Sequence, residues 1–182
     1  MPAKKQITRE MILKAALQLL REQGYGAVNI KQLARALGCS TQPIYLSFSG
    51  MEELRAQLIP LAVQEFEHQM RDGAGGMVRL YDRPYITFAK REPHLFHFLF
   101  MRANAYAEMQ RVLQPMIRRA TEELMAVYHL SYDRADRLHD ALWMQAHGIA
   151  AMIATDFCHW DMEKAADMLQ SSKKALVQQY EA

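Results

Sequence analysis

Long apolar segments are missing from this sequence. Its 182 residues contain no run of 18 apolar residues, so we expect no transmembrane helix and no membrane partner. The N-terminal stretch MPAKKQITRE is polar and no apolar signal-peptide core follows it, which predicts a soluble, cytoplasmic protein. The length is still sufficient to bury a hydrophobic core, in one large domain or two small ones.

Cysteine is also scarce, and several catalytic signatures are absent. Cys39 and Cys158 provide neither a disulfide framework nor the spacing of a zinc site, so we interpret them as buried or half-buried thiols. The sequence contains no glycine-rich phosphate loop and no serine nucleophile elbow. We therefore expect no cofactor and no metal.

The formal net charge is only +2, but it is unevenly distributed. Residues 1–60 carry eight Lys or Arg and four acidic side chains, a net charge of +4, so the rest of the chain carries −2. A basic N-terminal third on a near-neutral body suggests a polyanionic partner for that third. A solvated basic face would give the same bias, so charge alone does not decide the question.

Apolar residues recur at helical spacing along most of the chain, and strand patterns are nearly absent. This periodicity predicts an all-α fold of about nine helices. Thr8 is expected to cap the first helix and Asn29 the second, with Gln32 completing a capping box. Ser40 is expected to cap a short third helix over residues 40–47.

The later helices are predicted from caps and breakers. A capping box of Ser49 and Glu52 should begin a long fourth helix, which the DGAGG run at 72–76 ends. The remaining predicted helices are a pair divided near Glu92-Pro93, a helix over 105–128 with Pro115 as a kink or a start, and helices over 133–157 and 161–179 capped by Ser131 and Asp161.

Two helices joined by a short turn that contains Gly38 form a helix-turn-helix pattern. In that motif the second helix enters the DNA major groove N-terminus first. The hydroxyls of Ser40 and Thr41 can meet phosphates or base edges, and Gln42 can pair with adenine. An ordinary helix pair in an all-α core would give the same apolar pattern, so the motif needs its context.

The segment from Ile7 to Leu58 supplies that context through five motifs. They are I-x-x-A-A-x-x-L from Ile12 to Leu19, Gly24-Tyr25, I-x-x-L-A-x-x-L-G from Ile30 to Gly38, Y-x-x-F from Tyr45 to Phe48, and Glu52-Glu53-Leu54. Together these motifs resemble the TetR family of transcriptional regulators. Many relatives carry a lysine at the start of the fourth helix. This sequence has Ser49-Gly50-Met51 there, so one phosphate contact is expected to be lost.

The resemblance implies a helix-turn-helix DNA-binding domain at 1–50 and a helical ligand-binding and dimerisation domain at 51–182. The implied partner is a double-stranded DNA operator of palindromic sequence. The side chains predicted to contact DNA are Lys4, Lys5, Asn29, Lys31, Ser40, Thr41, Gln42, Pro43, Tyr45 and Ser47.

Trp143, His147 and Gly148 resemble a branch of the family that is named for its Trp-His-Gly motif. The predicted helix over 133–157 is apolar on two sides, which indicates burial between two partners. With the last helix it could form a four-helix bundle across a twofold axis, and the resemblance implies such a homodimer. The predicted interface residues are Leu142, Ile149, Met152, Ile153, Phe157, Met168, Leu169 and Leu176.

Aromatic residues and methionine are abundant in the middle of the chain. The whole sequence has 13 methionines. Such side chains line adaptable ligand sites, and the resemblance implies a small-molecule effector there. A plain hydrophobic core would use the same residues. The predicted ligand-binding residues are Phe66, Met70, Tyr85, Phe88, Phe96, Phe100, Met101, Met109, Met116, Trp143 and His147.

Three other clusters were candidates for catalysis or metal binding, namely Asp136-His139-Asp140, His94 with His97, and Cys158-His159. The first trio lies on one helix face, which is more often a solvated face than a metal site. No cluster combines an acid, a base and a nucleophile. We therefore predict a repressor that a small apolar or aromatic molecule releases from its operator, with a regulator controlled by a partner protein as the alternative and an enzyme as a remote one.

Overall fold

The computed structural model describes residues 6–71, 76 and 80–181, and within these ranges it contains nine α-helices and no strand. The helices are α1 (Arg9–Gln23), α2 (Ile30–Leu37), α3 (Gln42–Ser47), α4 (Met51–Arg71), α5 (Arg83–Arg91), α6 (Pro93–Phe100), α7 (Tyr106–Tyr128), α8 (Tyr132–Ala154) and α9 (Met162–Glu181). The prediction of an all-α fold with about nine helices is confirmed. Lys4 and Lys5 lie outside the described residues.

Side chains cap the first two helices as predicted. The Thr8 hydroxyl accepts a hydrogen bond from the backbone N–H of Met11 at 3.2 Å. The Asn29 side-chain oxygen accepts one from the N–H of Gln32 at 3.1 Å. Helix α2 ends where Gly38 adopts the left-handed conformation, with φ 64° and ψ 35°, which favours glycine because a Cβ is strained there.

Two other predicted caps are wrong in detail. Helix α3 is capped by Thr41 rather than Ser40, and no side chain bonds its first turn. One reason is that Pro43 stands second in the helix and has no N–H to donate. Ser49 pairs with Glu53 instead of Glu52, since its N–H and its hydroxyl both donate to that carboxylate, at 2.7 and 2.8 Å.

The predictions for how the last three helices begin are partly confirmed. The Asp161 carboxylate accepts bonds from two N–H groups in the first turn of α9, at 2.8 and 2.9 Å, which confirms its cap. Ser131 stands at the cap position of α8 but its side chain makes no capping bond. Pro115 lies inside α7 and does not begin it.

The chain forms two compact units, one up to Gln64 and one from Glu65. The sequence places the domain boundary after residue 50, whereas the N-terminal unit also includes the first part of α4. Its core holds apolar side chains from α1, α2, α3 and the start of α4, among them Ile12, Leu20, Leu33, Ile44, Phe48, Leu54 and Leu58.

Helix α8 is central to the C-terminal unit. Helices α5, α6, α7 and α9 all pack against it. Its buried residues therefore occur on several sides, among them Ala135, Leu138, Leu142, Ala146 and Ile149. This surrounded position agrees with the two apolar stripes in its sequence.

Arg9 joins three segments of the N-terminal unit. Its guanidinium lies 4.2 Å over the ring of Phe48, and its Nε donates to the side-chain oxygen of Gln57 at 2.9 Å. The two terminal nitrogens donate to the carbonyl of Ser47 and to the carboxylate of Glu53. One side chain of α1 thus holds the C-terminal end of α3 and the beginning of α4.

These hydrogen bonds lower the pKa of Glu53 to about 2. The largest cause is the backbone N–H of Ser49, followed by the Arg9 guanidinium and the Ser49 hydroxyl. A carboxyl whose pKa falls on folding stabilises the folded state above its unfolded pKa of about 4.3. That contribution is lost as the pH falls toward 2.

Glu53→Gln should therefore remove a pH-dependent part of the stability. We expect wild type to be more stable than the variant at pH 7, with a difference that shrinks steadily between about pH 4.5 and 2. Thermal unfolding followed by circular dichroism across this range measures it. Glu52→Gln is the matched control, because that neighbouring carboxylate is on the exposed side of α4. A difference that stays constant with pH would contradict the assignment.

Candidate nucleic-acid interface and ligand cavity

Helix α3 has one buried face and one exposed face. Ile44 and Phe48, four residues apart, are buried in the N-terminal unit. Tyr45 and Leu46 therefore point outward, and 63% and 81% of their surfaces are exposed. Gln42 is exposed as well. Sequence reasoning missed Leu46, although the spacing of Ile44 and Phe48 already indicates that it faces solvent.

The other residues predicted to contact DNA fall into two groups. Lys31 and Ser40 are exposed, and Thr41 and Pro43 are half-buried. Asn29 and Ser47 already bond the protein backbone. The Asn29 amide caps α2 and donates to the carbonyl of Ala27 at 3.3 Å, and the Ser47 hydroxyl donates to the carbonyl of Pro43 at 2.8 Å.

The outward face of α3 offers three kinds of group to a double helix. The amide of Gln42 can donate to and accept from the edge of adenine. The Tyr45 hydroxyl can donate to a phosphate oxygen. Leu46 is an exposed apolar side chain of the kind that contacts a thymine methyl group. Since the helix is short and held at its C-terminal end by Arg9, these groups have a fixed orientation within the N-terminal unit.

A cavity of about 520 Å³ opens inside the C-terminal unit, between α4, α5, α6, α7 and α8. Its apolar lining comprises Phe66, Leu80, Tyr85, Leu99, Phe100, Ala105, Met109, Leu113, Met116, Ile117, Tyr132 and Trp143. Its polar lining comprises Arg102, Asn104, Gln110, Gln114, Asp136, His139 and Asp140. The size and the mainly apolar wall are typical of a small-molecule site.

The structure brings together part of the predicted ligand set. The residues on the cavity wall are Phe66, Tyr85, Phe100, Met109, Met116 and Trp143. Met70, Phe88 and Phe96 are buried in the core and are not part of this wall. Phe88 instead borders a separate surface cleft of about 650 Å³ beside Arg83 and Arg91. Met101, at the end of α6, and His147 also lie off the wall.

His147 lies in a stack of rings behind the cavity. Its ring stacks on that of Trp143, with centroids 4.9 Å apart and planes 26° apart, and on that of Phe96, at 5.5 Å and 22°. Its Nδ1 is 3.1 Å from the hydroxyl of Tyr85. Burial lowers the pKa of His147 and raises that of Tyr85, so both groups are neutral near pH 7.

The polar side of the cavity was missed as a ligand surface in the sequence. Asp136 and Asp140 are separated by one helical turn on α8, and Trp143 follows three residues later on the same face. This spacing could have linked the carboxylates to the ring that was already predicted to face a ligand. By sequence alone, the two carboxylates suggest a metal trio with His139 instead.

The alternative metal and catalytic clusters have other positions. His139 is buried, bonds the hydroxyl of Tyr81 through Nδ1, and has a pKa lowered by burial. Across the described ranges no group of three or more His, Cys, Asp or Glu side chains is placed to hold a metal ion. His94 and His97 are exposed on α6, and His159 lies 3.4 Å from the carboxylate of Asp156 at the surface.

The residues predicted for a dimer interface are partly buried within one chain. Leu142, Ile149 and Leu169 are no more than 5% exposed, so they have almost no surface left for a partner. Met152, Phe157 and Met168 are exposed, and Ile153 and Leu176 are half-buried. Met144 on α8, which sequence reasoning missed, is 63% exposed. Helices α8 and α9 are joined by the Gln145 amide, which donates to the Ser172 hydroxyl at 2.8 Å.

Comparison with protein families gives two matches. Residues 12–58 match the family described as bacterial regulatory proteins, tetR family. Residues 79–175, more than half of the chain, match the tetracyclin repressor-like C-terminal domain. Within the described ranges, every helix is too short or too polar to cross a membrane.

Two curated relatives are similar over most of their length. An uncharacterized HTH-type transcriptional regulator of Haemophilus influenzae is 24% identical over 170 residues, which cover 88% of this chain and 82% of that protein. The uncharacterized HTH-type regulator YobS of Bacillus subtilis is 22% identical over 171 residues, which cover 91% of this chain and 86% of that protein.

Solved structures share the fold at low sequence identity. A transcriptional regulator from a Rhodococcus species has a TM-score of 0.70 at 17% identity, with 95% of this chain and 97% of that chain covered. A TetR variant from Acinetobacter baumannii in complex with minocycline has a TM-score of 0.54 at 16% identity, with 96% and 97% covered. The fatty acid degradation regulator FadR from Bacillus halodurans has a TM-score of 0.55 at 16% identity, with 93% and 98% covered.

Proposed function

Since the chain belongs to the TetR family of bacterial transcriptional regulators, we propose that it is a dimeric cytoplasmic repressor which a small apolar or aromatic molecule releases from a palindromic operator. That it is a regulator and not an enzyme follows from the family and from the relatives. The observation that carries the ligand-released part is the cavity of about 520 Å³ with its aromatic wall. A regulator controlled only by a partner protein would not need such a space.

The DNA-binding part of the proposal rests on the exposed face of α3. Gln42 is the group that reads a base, because its amide is exposed near the N-terminus of the helix. Tyr45 positions the helix through a phosphate, because its hydroxyl stands at the outward edge. Asn29 and Ser47 contribute less, since their side chains already bond the backbone.

Gln42→Ala should cost about 1–3 kcal/mol of binding free energy at one base pair per half-site and relax the base preference there. Tyr45→Phe should weaken binding with little change in preference, because it removes only a phosphate contact. Duplexes selected from a random-sequence library supply the operator, and mobility shifts measure the affinities.

The exposed residue Gln23 at the end of α1 offers a matched control, as Gln23→Ala removes an equal amide outside α3. Affinity and preference unchanged in both Gln42→Ala and Tyr45→Phe would remove these two residues from the interface.

The dimer part of the proposal rests on exposed apolar residues of α8 and α9. Met144, Met152 and Met168 are exposed on two helices that pack side by side. A second copy related by a twofold axis would cover them with the same residues. Two recognition helices about 34–36 Å apart are what a palindromic operator requires.

Met152→Asp should dissociate the dimer, because the charge would be buried without a partner. Analytical ultracentrifugation should report monomer, and operator affinity should fall with it. Val127→Asp is the control, since Val127 is an apolar residue on α7 that is even more exposed, at 57% against 39% for Met152. A Met152→Asp protein that stays dimeric would place the interface on another surface.

The motif of Trp143, His147 and Gly148 supports membership of the Trp-His-Gly branch. Trp143 lies on the cavity wall, and His147 stacks on it while facing the Tyr85 hydroxyl. The motif would thus hold an aromatic wall in place rather than bind the effector through the imidazole. This explains the motif without requiring His147 to touch the ligand.

Leu113→Trp should abolish the response to a ligand while leaving operator binding intact, because the larger ring fills the cavity beside Met109 and Met116. Mobility shifts with a panel of apolar and aromatic molecules should find a compound that lowers wild-type operator affinity about 5–150-fold. The variant should bind the operator but no longer respond.

The control is Val127→Trp, which adds the same ring on the exposed side of α7. A Leu113→Trp protein that responds like wild type would move the effector site elsewhere. If no compound releases wild type, control by a partner protein becomes the better explanation.

A further inference from the structure

We propose that this cavity selects a lipophilic organic cation, with the apolar body against the aromatic wall and the positive charge beside Asp136 and Asp140. The inference rests on the proposed ligand-released function and names the class of its effector. It depends on the net charge of the polar side chains that line the cavity.

The apolar side of the cavity is built around three aromatic rings. Phe66 contacts Tyr85 and Phe100 edge to face, and Tyr85 and Phe100 are tilted against each other, with ring centroids 5.2 to 6.0 Å apart. Met109 and Met116 add flexible thioethers on α7. This wall can bury the body of an aromatic or branched ligand.

Asp136 and Asp140 bring two negative charges to the same space. They stand one turn apart on α8, on the face that also carries Trp143. In the described part of the chain neither carboxylate has a hydrogen bond or an ion pair with another residue. Asp136 is half-buried and Asp140 is exposed, so Asp136 contributes the larger share of the negative field inside the cavity, where the apolar wall screens a charge less than bulk water does.

The positive charge of Arg102, the cationic side chain among the residues that line the cavity, is already paired with other groups of the protein. It forms an ion pair with Glu108 at 3.0 Å and donates to the carbonyl of Phe98 at 2.6 Å. Its guanidinium also lies 4.8 Å over the ring of Phe98. A ligand carboxylate would have to displace Glu108 to use this charge, whereas a ligand cation meets no such competitor.

His139 does not reverse this balance. Its Nδ1 is engaged with the Tyr81 hydroxyl, and its buried ring is neutral near pH 7. The rings of Tyr132 and Trp143 supply faces that attract a cation. The wall thus combines two uncompensated carboxylates with aromatic faces, a combination that favours a positively charged nitrogen or phosphorus centre over a neutral or anionic group.

The test uses two organic ions of nearly equal size and shape. Tetraphenylphosphonium is the cation and tetraphenylborate is the anion, and calorimetric titration of the full chain measures each dissociation constant without DNA. We expect the phosphonium to bind at least about 10-fold more tightly than the borate. Asp136→Asn/Asp140→Asn should weaken phosphonium binding about 10-fold, mostly through the half-buried Asp136 because Asp140 is exposed and more strongly screened, and should not weaken borate binding.

Asp133→Asn/Asp156→Asn is the matched control, because it removes the same charge from exposed positions at the two ends of α8. It should change phosphonium binding less than about twofold at 0.15 M salt, where exposed charges are screened. Equal or tighter borate binding, no phosphonium binding, or an equal loss in the control would each overturn the proposal.

Parallel mobility shifts keep this inference separate from the proposed function. Phosphonium that binds the cavity without releasing the operator supports the charge preference and counts against ligand-released repression. Release by neutral or anionic molecules, together with no phosphonium binding, supports the repression and overturns the charge preference.

Discussion

The C-terminal unit depends on the burial of α8, a helix of 23 residues with apolar side chains on several sides. Such a helix is stable only when neighbours surround it, and α5, α6, α7 and α9 do so. Core, cavity wall and exposed methionines are then different faces of one rigid element. Leu142 packs inside, Trp143 lines the cavity and Met144 reaches solvent, in three consecutive positions.

A comparable constraint organises the N-terminal unit around Arg9. A helix of six residues is too short to be stable by itself, so its orientation must come from its neighbours. Arg9 supplies part of it by bonding the Ser47 carbonyl and covering Phe48, while Ile44 is buried beneath. The exposed Gln42 and Tyr45 are thereby held without having to stabilise the helix, which leaves them available for recognition.

Local signals predicted much of the fold, because caps and apolar periodicity act over a few residues. Thr8, Asn29 and Asp161 cap helices as expected. Ser49 bonds Glu53 rather than Glu52, and such a choice depends on Arg9, which is distant in sequence. The cavity shows the same limit. Its aromatic residues could be nominated by type, but whether Phe96 or Phe100 reaches the wall is decided by packing between helices.

The pairing of an apolar wall with two carboxylates would be costly for an empty cavity if both carboxylates were fully buried. Ionised groups lose hydration beside apolar surface, and a native fold avoids that loss unless the arrangement has a use. Asp140 is exposed and Asp136 is half-buried, so both carboxylates keep part of their hydration and that loss stays small in the empty cavity. A bound cation would replace part of that water, so these carboxylates would favour the occupied state over the empty one. Selectivity of this kind arises from differential affinity between two states, which is the quantity an effector needs to shift an equilibrium.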